Sequence, residues 1–277
     1  MKNYLKLVNF EFNRCVKLYA VLIGVTIVSQ IIAVIATSRE YLSQVNESIY
    51  KNDMLKADFL NETGEMSMFW VVNSSWFLVP ILICMTAVLF YSFYIWYVEW
   101  MGKNTFIYRL LTLPASRMTV FWSKLTTIAL MIFGLVSVQL FLLVVDSQLL
   151  KMLVSNEFRI DLSLQQISQL SYSLSFLIPR SILTFFTFYG IGFMLLVLVF
   201  TSILFERSFR FKGMMLGLGY SVGLFVLFLS PMIAEDVFGF NWFYPGEMLV
   251  VEFILGILVI GISSWMSQYL LNKKITV

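Results

Sequence analysis

The residues best able to do chemistry are few. Histidine is absent from the 277-residue chain, which removes the commonest general base, the commonest metal ligand and most hydrolytic triads. The two cysteines, Cys15 and Cys84, belong to segments expected at different depths, so they read as small apolar fillers rather than a disulfide. No G-x-x-x-x-G-K-[ST] phosphate loop occurs; the nearest pieces are Gly102-Lys103, which lacks the first glycine, and Gly217-Leu-Gly219. The chain is therefore expected to have no catalytic residues, no metal site and no cofactor of its own.

The elements that would position any functional group are apolar. Sixty per cent of the residues are hydrophobic and 13% charged, about half the charged share of an ordinary soluble domain; mean hydropathy is +0.85. A span needs about 20 apolar residues to cross roughly 30 Å of hydrocarbon. Six stretches qualify: 18–37, 77–98, 125–145, 181–205, 213–233 and 248–270. The expected fold is thus an all-α integral membrane protein of six transmembrane helices in a single domain, 1–277. The net charge of +3 is too small to argue for nucleic acid.

Charge placement sets the expected orientation. The N-terminus, 99–124, 206–212 and the C-terminal tail hold thirteen of the nineteen basic residues but only three acids, Glu11, Glu99 and Glu206. By the positive-inside rule both termini should be cytoplasmic. Aromatic rings favour the headgroup layer. Tyr91, Tyr94, Trp96, Tyr97 and Trp100 crowd the inner end of the second span, and Trp122 and Trp265 mark the inner ends of the third and sixth.

Segment 1–17 reads as an interfacial helix, with Lys2, Lys6, Asn9, Asn13 and Lys17 on one face and Leu5, Val8, Phe12, Cys15 and Tyr19 on another. The long outer connections, 38–76 and 146–180, lack the cysteines or strand alternation of an independent domain and are expected to form short helices on the outer face. Asp146 and Arg180 are expected at span boundaries. Gly213, Gly217, Gly219 and Gly223 give the fifth span small-residue surfaces suited to close helix packing.

The inner loop between the second and third spans, 99–124, is the most informative segment. It is far longer than a tether needs to be. Phe106, Leu110, Leu111, Leu113 and Pro114 make it too apolar to be free in water. Residues 104–113 suit a short helix ended by Pro114. Such a protrusion docks either on the lipid interface or on a soluble partner.

The run RLLTLPASR from Arg109 to Arg117, followed by Phe121-Trp122-Ser123-Lys124, resembles the permeases of type-2 ABC exporters. The resemblance extends to span count, orientation and the preceding amphipathic helix. It implies a coupling helix for a separate ATPase subunit, with Arg109, Leu110, Leu111, Pro114 and Arg117 in the coupling region. Glu206 and Arg207, in the next inner loop, would make a lesser contact. ATP and magnesium would then be bound by that ATPase, and a second permease subunit, identical or paralogous, would complete the pathway.

The implied function is ATP-driven export of an amphiphilic substrate, such as a peptide antibiotic, a drug or a lipid-linked molecule, across a bacterial cell membrane. Family members commonly enlarge the connection before the last span, whereas this chain enlarges its first two outer connections. Pro80 and Pro231 lie near outer helix ends where a gate would be, and Glu252 lies one turn inside the last span. The alternative is a non-transporting sensor or scaffold that binds a ligand through its outer loops. An intramembrane enzyme is disfavoured by uncharged span centres and the missing histidine.

Overall fold

The structure, a computed structural model, describes residues 2–100, 116–179, 181–236, 239 and 244–275. Nine α-helices run through them: α1 (Lys2–Val45), α2 (Lys56–Thr63), α3 (Met68–Val72), α4 (Ser75–Trp100), α5 (Arg117–Leu153), α6 (Leu164–Leu170), α7 (Tyr172–Leu177), α8 (Ile182–Asp236) and α9 (Pro245–Tyr269). Five of these, α1, α4, α5, α8 and α9, are long and apolar enough to cross a membrane. Apart from one isolated parallel bridge, Met66 to Arg159, the described residues form no β structure.

Two of the long helices depart from the expected boundaries. Where a helix at 1–17 was expected to give way to a span at 18–37, one unbroken helix of 44 residues runs from Lys2 to Val45. Nothing in its sequence interrupts it: there is no proline and only one glycine, Gly24. The other departure is α8, whose 55 residues include both the fourth and fifth expected spans. A straight helix of that length would extend roughly 80 Å.

Helix α8 instead folds back on itself at Arg210, where φ is 54° and ψ −132°. Ser202 Oγ donates to the Gly217 carbonyl at 3.1 Å, and the Phe205 and Tyr220 ring centroids lie 5.2 Å apart. Residues fifteen apart on a straight helix would be separated by roughly 22 Å. Glycine permits the close approach: a Cβ at Gly213 would lie 2.0 Å from the Phe205 carbonyl oxygen, and one at Gly217 would lie 2.9 Å from that of Ser202. Two of the four glycines singled out in the sequence therefore pack one arm of α8 against the other. At Gly219 and Gly223 a Cβ would meet nothing within 4 Å.

The chain forms two compact units. One comprises Met1–Cys15, Val88–Leu130 and Ser181–Val277; the other comprises Val16–Ala87 and Met131–Arg180. In the first, Trp96, Phe121 and Phe200 are fully buried and meet edge to face, Phe200 lying 5.5 Å from Trp96 and 5.6 Å from Phe121. Thr201 of α8 and Ser267 of α9 share a hydrogen bond of 2.9 Å, a polar tie that adds to side-chain packing between apolar helices.

In the second unit, both long connections fold into one core. Tyr41, Val45, Phe59, Met66, Met68, Val71, Val72 and Phe77 are buried with Leu143, Leu150, Val154, Ile167 and Leu174. Met66 exchanges backbone bonds of 2.9 Å with the Phe158 carbonyl and the Ile160 amide, so the first connection is stitched to the second. Tyr41 Oη donates to the Gly64 carbonyl at 2.9 Å. Ser163 and Gln166 close a capping box at the start of α6. The short helices expected in these connections are present, and they build a shared apolar core.

Deeper in the same unit, Gln30 Nε2 donates to Gln139 Oε1 at 2.7 Å between α1 and α5. Asp146, expected at a span boundary, is buried within α5. The helix continues past it to Leu153.

Candidate functional site

The strongest concentration of charge in the first unit is buried. Lys124, on the second turn of α5, has no side-chain exposure. Its ammonium lies 2.6 Å from Glu11 Oε1 and 2.7 Å from Glu99 Oε1, and donates to the Ile95 carbonyl at 3.0 Å. Arg14 Nη1 stands 3.3 Å from each of the same two carboxylates. The Trp96 ring lies 5.4 Å from the Lys124 ammonium. Two carboxylates thus face two cations, the arrangement that lets charges persist away from water.

Local sequence explains how three helices deliver these groups. Glu11 falls three residues after Val8 and four before Cys15, and all three are buried, so the acid sits on the packed stripe of α1. Glu99 is one residue from the end of α4, and Lys124 is seven residues into α5. The network therefore clamps both helices that flank 101–116 and ties them to the N-terminal helix. Glu11, Glu99 and Lys124 have side-chain exposures of 2% or less, while Arg14 keeps 23%; Glu99 Oε2 has no hydrogen-bond partner among the described residues. Among the described residues no group of three or more Cys, Asp or Glu could hold a metal ion.

Glu206 and Arg207 meet the same end of α4. Tyr97 Oη donates to Glu206 Oε2, while the Arg207 guanidinium lies 4.8 Å from the Tyr97 ring and 5.4 Å from that of Trp100. Both residues remain helical, because α8 turns at Arg210 rather than across the whole of 206–212. Arg117 opens α5, and its Nη1 donates to the carbonyls of Leu271 and Ile275 at 2.5 and 2.7 Å. It thereby satisfies carbonyls at the C-terminal turn that follows α9.

Arg109, Leu110, Leu111 and Pro114 lie outside the described residues, as does the helix expected at 104–113. Pro80 and Pro231 both lie inside continuous helix, so neither ends its helix. Glu252 lines a small groove with Phe186, Thr187, Gly190, Phe228 and Gly256. Cys15 and Cys84 are buried free thiols. In the sequence Glu11 and Glu99 are legible only as charges that fix orientation, and Lys124 as a basic residue closing the run that resembles the exporter permeases. The available signal was Glu11 itself, an acid on the apolar stripe of an otherwise basic segment.

No family model, no curated protein and no solved structure matches this chain.

Proposed function

We propose that this chain is the membrane subunit of an ATP-driven exporter, crossing a bacterial cell membrane six times with both termini in the cytoplasm. The hairpin of α8 supplies two of the six spans. A separate ATPase subunit seats on segment 101–116, and a second permease subunit, identical or paralogous, completes the pathway. The observation that carries this reading is the Glu11–Arg14–Glu99–Lys124 lock, which fastens the two roots of that segment to a third helix. A push on a segment with loose roots would be absorbed locally. Fixed roots pass it to whole helices, as a rigid-body gating movement needs.

Glu206 and Arg207 reinforce the root of α4, and Arg117 joins the start of α5 to the C-terminal turn. Arg109, Leu110, Leu111 and Pro114 supply the contact with the ATPase. Pro80, Pro231 and Glu252 are the gate candidates. The span centres favour an amphiphilic or lipid-associated cargo over a small hydrophilic ion. Type-2 ABC exporter permeases remain the family that the sequence resembles, and the mechanism beyond topology rests on that likeness.

The test is ATP hydrolysis by the complex purified through this chain, with and without the substitutions Arg109→Ala and Leu110→Ala. An ATPase that copurifies and loses chain-dependent activity in the double variant supports the reading. Purification without any ATPase removes it. The alternative reading is a non-transporting sensor or scaffold that binds a ligand through its outer connections; ligand binding with no associated ATP hydrolysis would select it.

A further inference from the structure

A groove of about 480 Å³ lies between the start of α5 and the last turns of α9, within the range of roughly 300–1,000 Å³ typical of small-molecule sites. Ser116, Arg117, Trp122, Ser264, Trp265 and Gln268 line it, and no carboxylate does. Its one full charge is the Arg117 guanidinium. Only Nη1 of that group bonds to the C-terminal carbonyls; among the described residues Nε and Nη2 have no protein acceptor. The first amides of α5 lack intrahelical acceptors and add positive potential at the same place. Ser264 Oγ is buried without a hydrogen-bond partner among the described residues.

The groove carries one full positive charge and no carboxylate, and its serine and amide side chains can turn donors toward a ligand, which suits an anion. Its tryptophans indicate which one. Trp265 is 65% exposed, and indole rings collect at the headgroup layer of a bilayer. A guanidinium beside two indoles between membrane helices matches a phosphate with an acyl tail better than a free ion. We propose that this groove binds the phosphate headgroup of an anionic phospholipid, held by Arg117 with the exposed amides of Gln268 and Asn272 as further polar contacts. The site stands independently of any ATPase partner.

Native mass spectrometry of the purified full chain, given phosphatidylglycerol or phosphatidylcholine with identical acyl chains, tests this. The expected result is about a tenfold preference for phosphatidylglycerol, the factor that ~1.4 kcal/mol provides. Arg117→Gln should abolish the preference. That substitution also loosens the C-terminal turn, so a second variant is needed. A Cβ at Gly261, another lining residue, meets nothing within 4 Å; Gly261→Leu fills the groove, leaves Arg117 in place, and should also abolish the preference. Equal retention of the two lipids, or a preference that survives Gly261→Leu, overturns the proposal. Displacement of the lipid by millimolar inorganic phosphate would also overturn it, because the site would then recognise a free anion.

Discussion

Lys124 Nζ lies 2.6 Å from Glu11 Oε1, with side-chain exposures of 0% and 2%, although 113 positions separate the two residues. A group so buried needs hydrogen-bond acceptors around it, and Glu11, Glu99 and the Ile95 carbonyl supply them. Removing Lys124 leaves two buried carboxylates to share Arg14 alone, 3.3 Å from each. Lys124→Met should destabilise the protein by about 3–5 kcal/mol, measured as a fall in detergent melting temperature. Adding Glu99→Gln, which leaves Glu11 and Arg14 as a balanced pair, should return most of that stability, since buried ionic sites are often replaceable by neutral ones. If the lock transmits force as proposed, the Lys124→Met, Glu99→Gln variant will fold yet fail to stimulate its ATPase. Full stimulation would reduce the lock to a packing feature.

The α8 hairpin makes a second prediction through its glycines. Gly213→Ala places a methyl 2.0 Å from the Phe205 carbonyl oxygen, so backbone must move; overpacking of this kind costs about 1–3 kcal/mol. Gly219→Ala, where the space is open, should be neutral or slightly stabilising. Arg210→Gly should stabilise by about 1 kcal/mol or more by removing a side chain from positive φ. Thermal unfolding of the three variants gives the order directly. Equal effects at Gly213 and Gly219 would argue against the hairpin.

How far this was legible beforehand differs from element to element. The long helices follow from apolar runs, because hydropathy and length are local properties. Where one helix ends is less local: Lys17 and Leu18 carry no breaker, so α1 continues where amphipathic patterning suggested a boundary. The turn in α8 was legible as a change from apolar to charged residues at 206–212, but its confinement to Arg210 was not. Partners were the least legible. Glu11, Glu99 and Glu206 are the only acids in segments otherwise full of lysine and arginine, and each one has a buried or half-buried partner. Their scarcity was visible, whereas the pairing of Glu11 with Lys124 depends on three helices meeting.

Gln30 and Gln139 provide a measure of polar contacts inside the apolar part of the second unit. Their 2.7 Å hydrogen bond should show a coupling energy of about 0.6 kcal/mol, and no more than about 1.7, in a double-mutant cycle with leucine. A coupling near zero would show that each amide finds another partner when its neighbour is removed.

The folded connections should behave as one body. Phe59 is 1% exposed and contributes to the shared core, so Phe59→Ala should cost about 3–5 kcal/mol. Limited proteolysis should then cut both connections, 38–76 and 146–180, at similar rates. Cleavage confined to the first connection would contradict a common core.

The most direct test of the central claim uses a photoreactive amino acid in place of Leu110, irradiated in native membranes. The proposed function requires a crosslink to a soluble ATPase subunit, reduced when ATP hydrolysis is blocked in a single nucleotide state. Crosslinks to lipid alone, with no protein attached at this position in any nucleotide state, would contradict it.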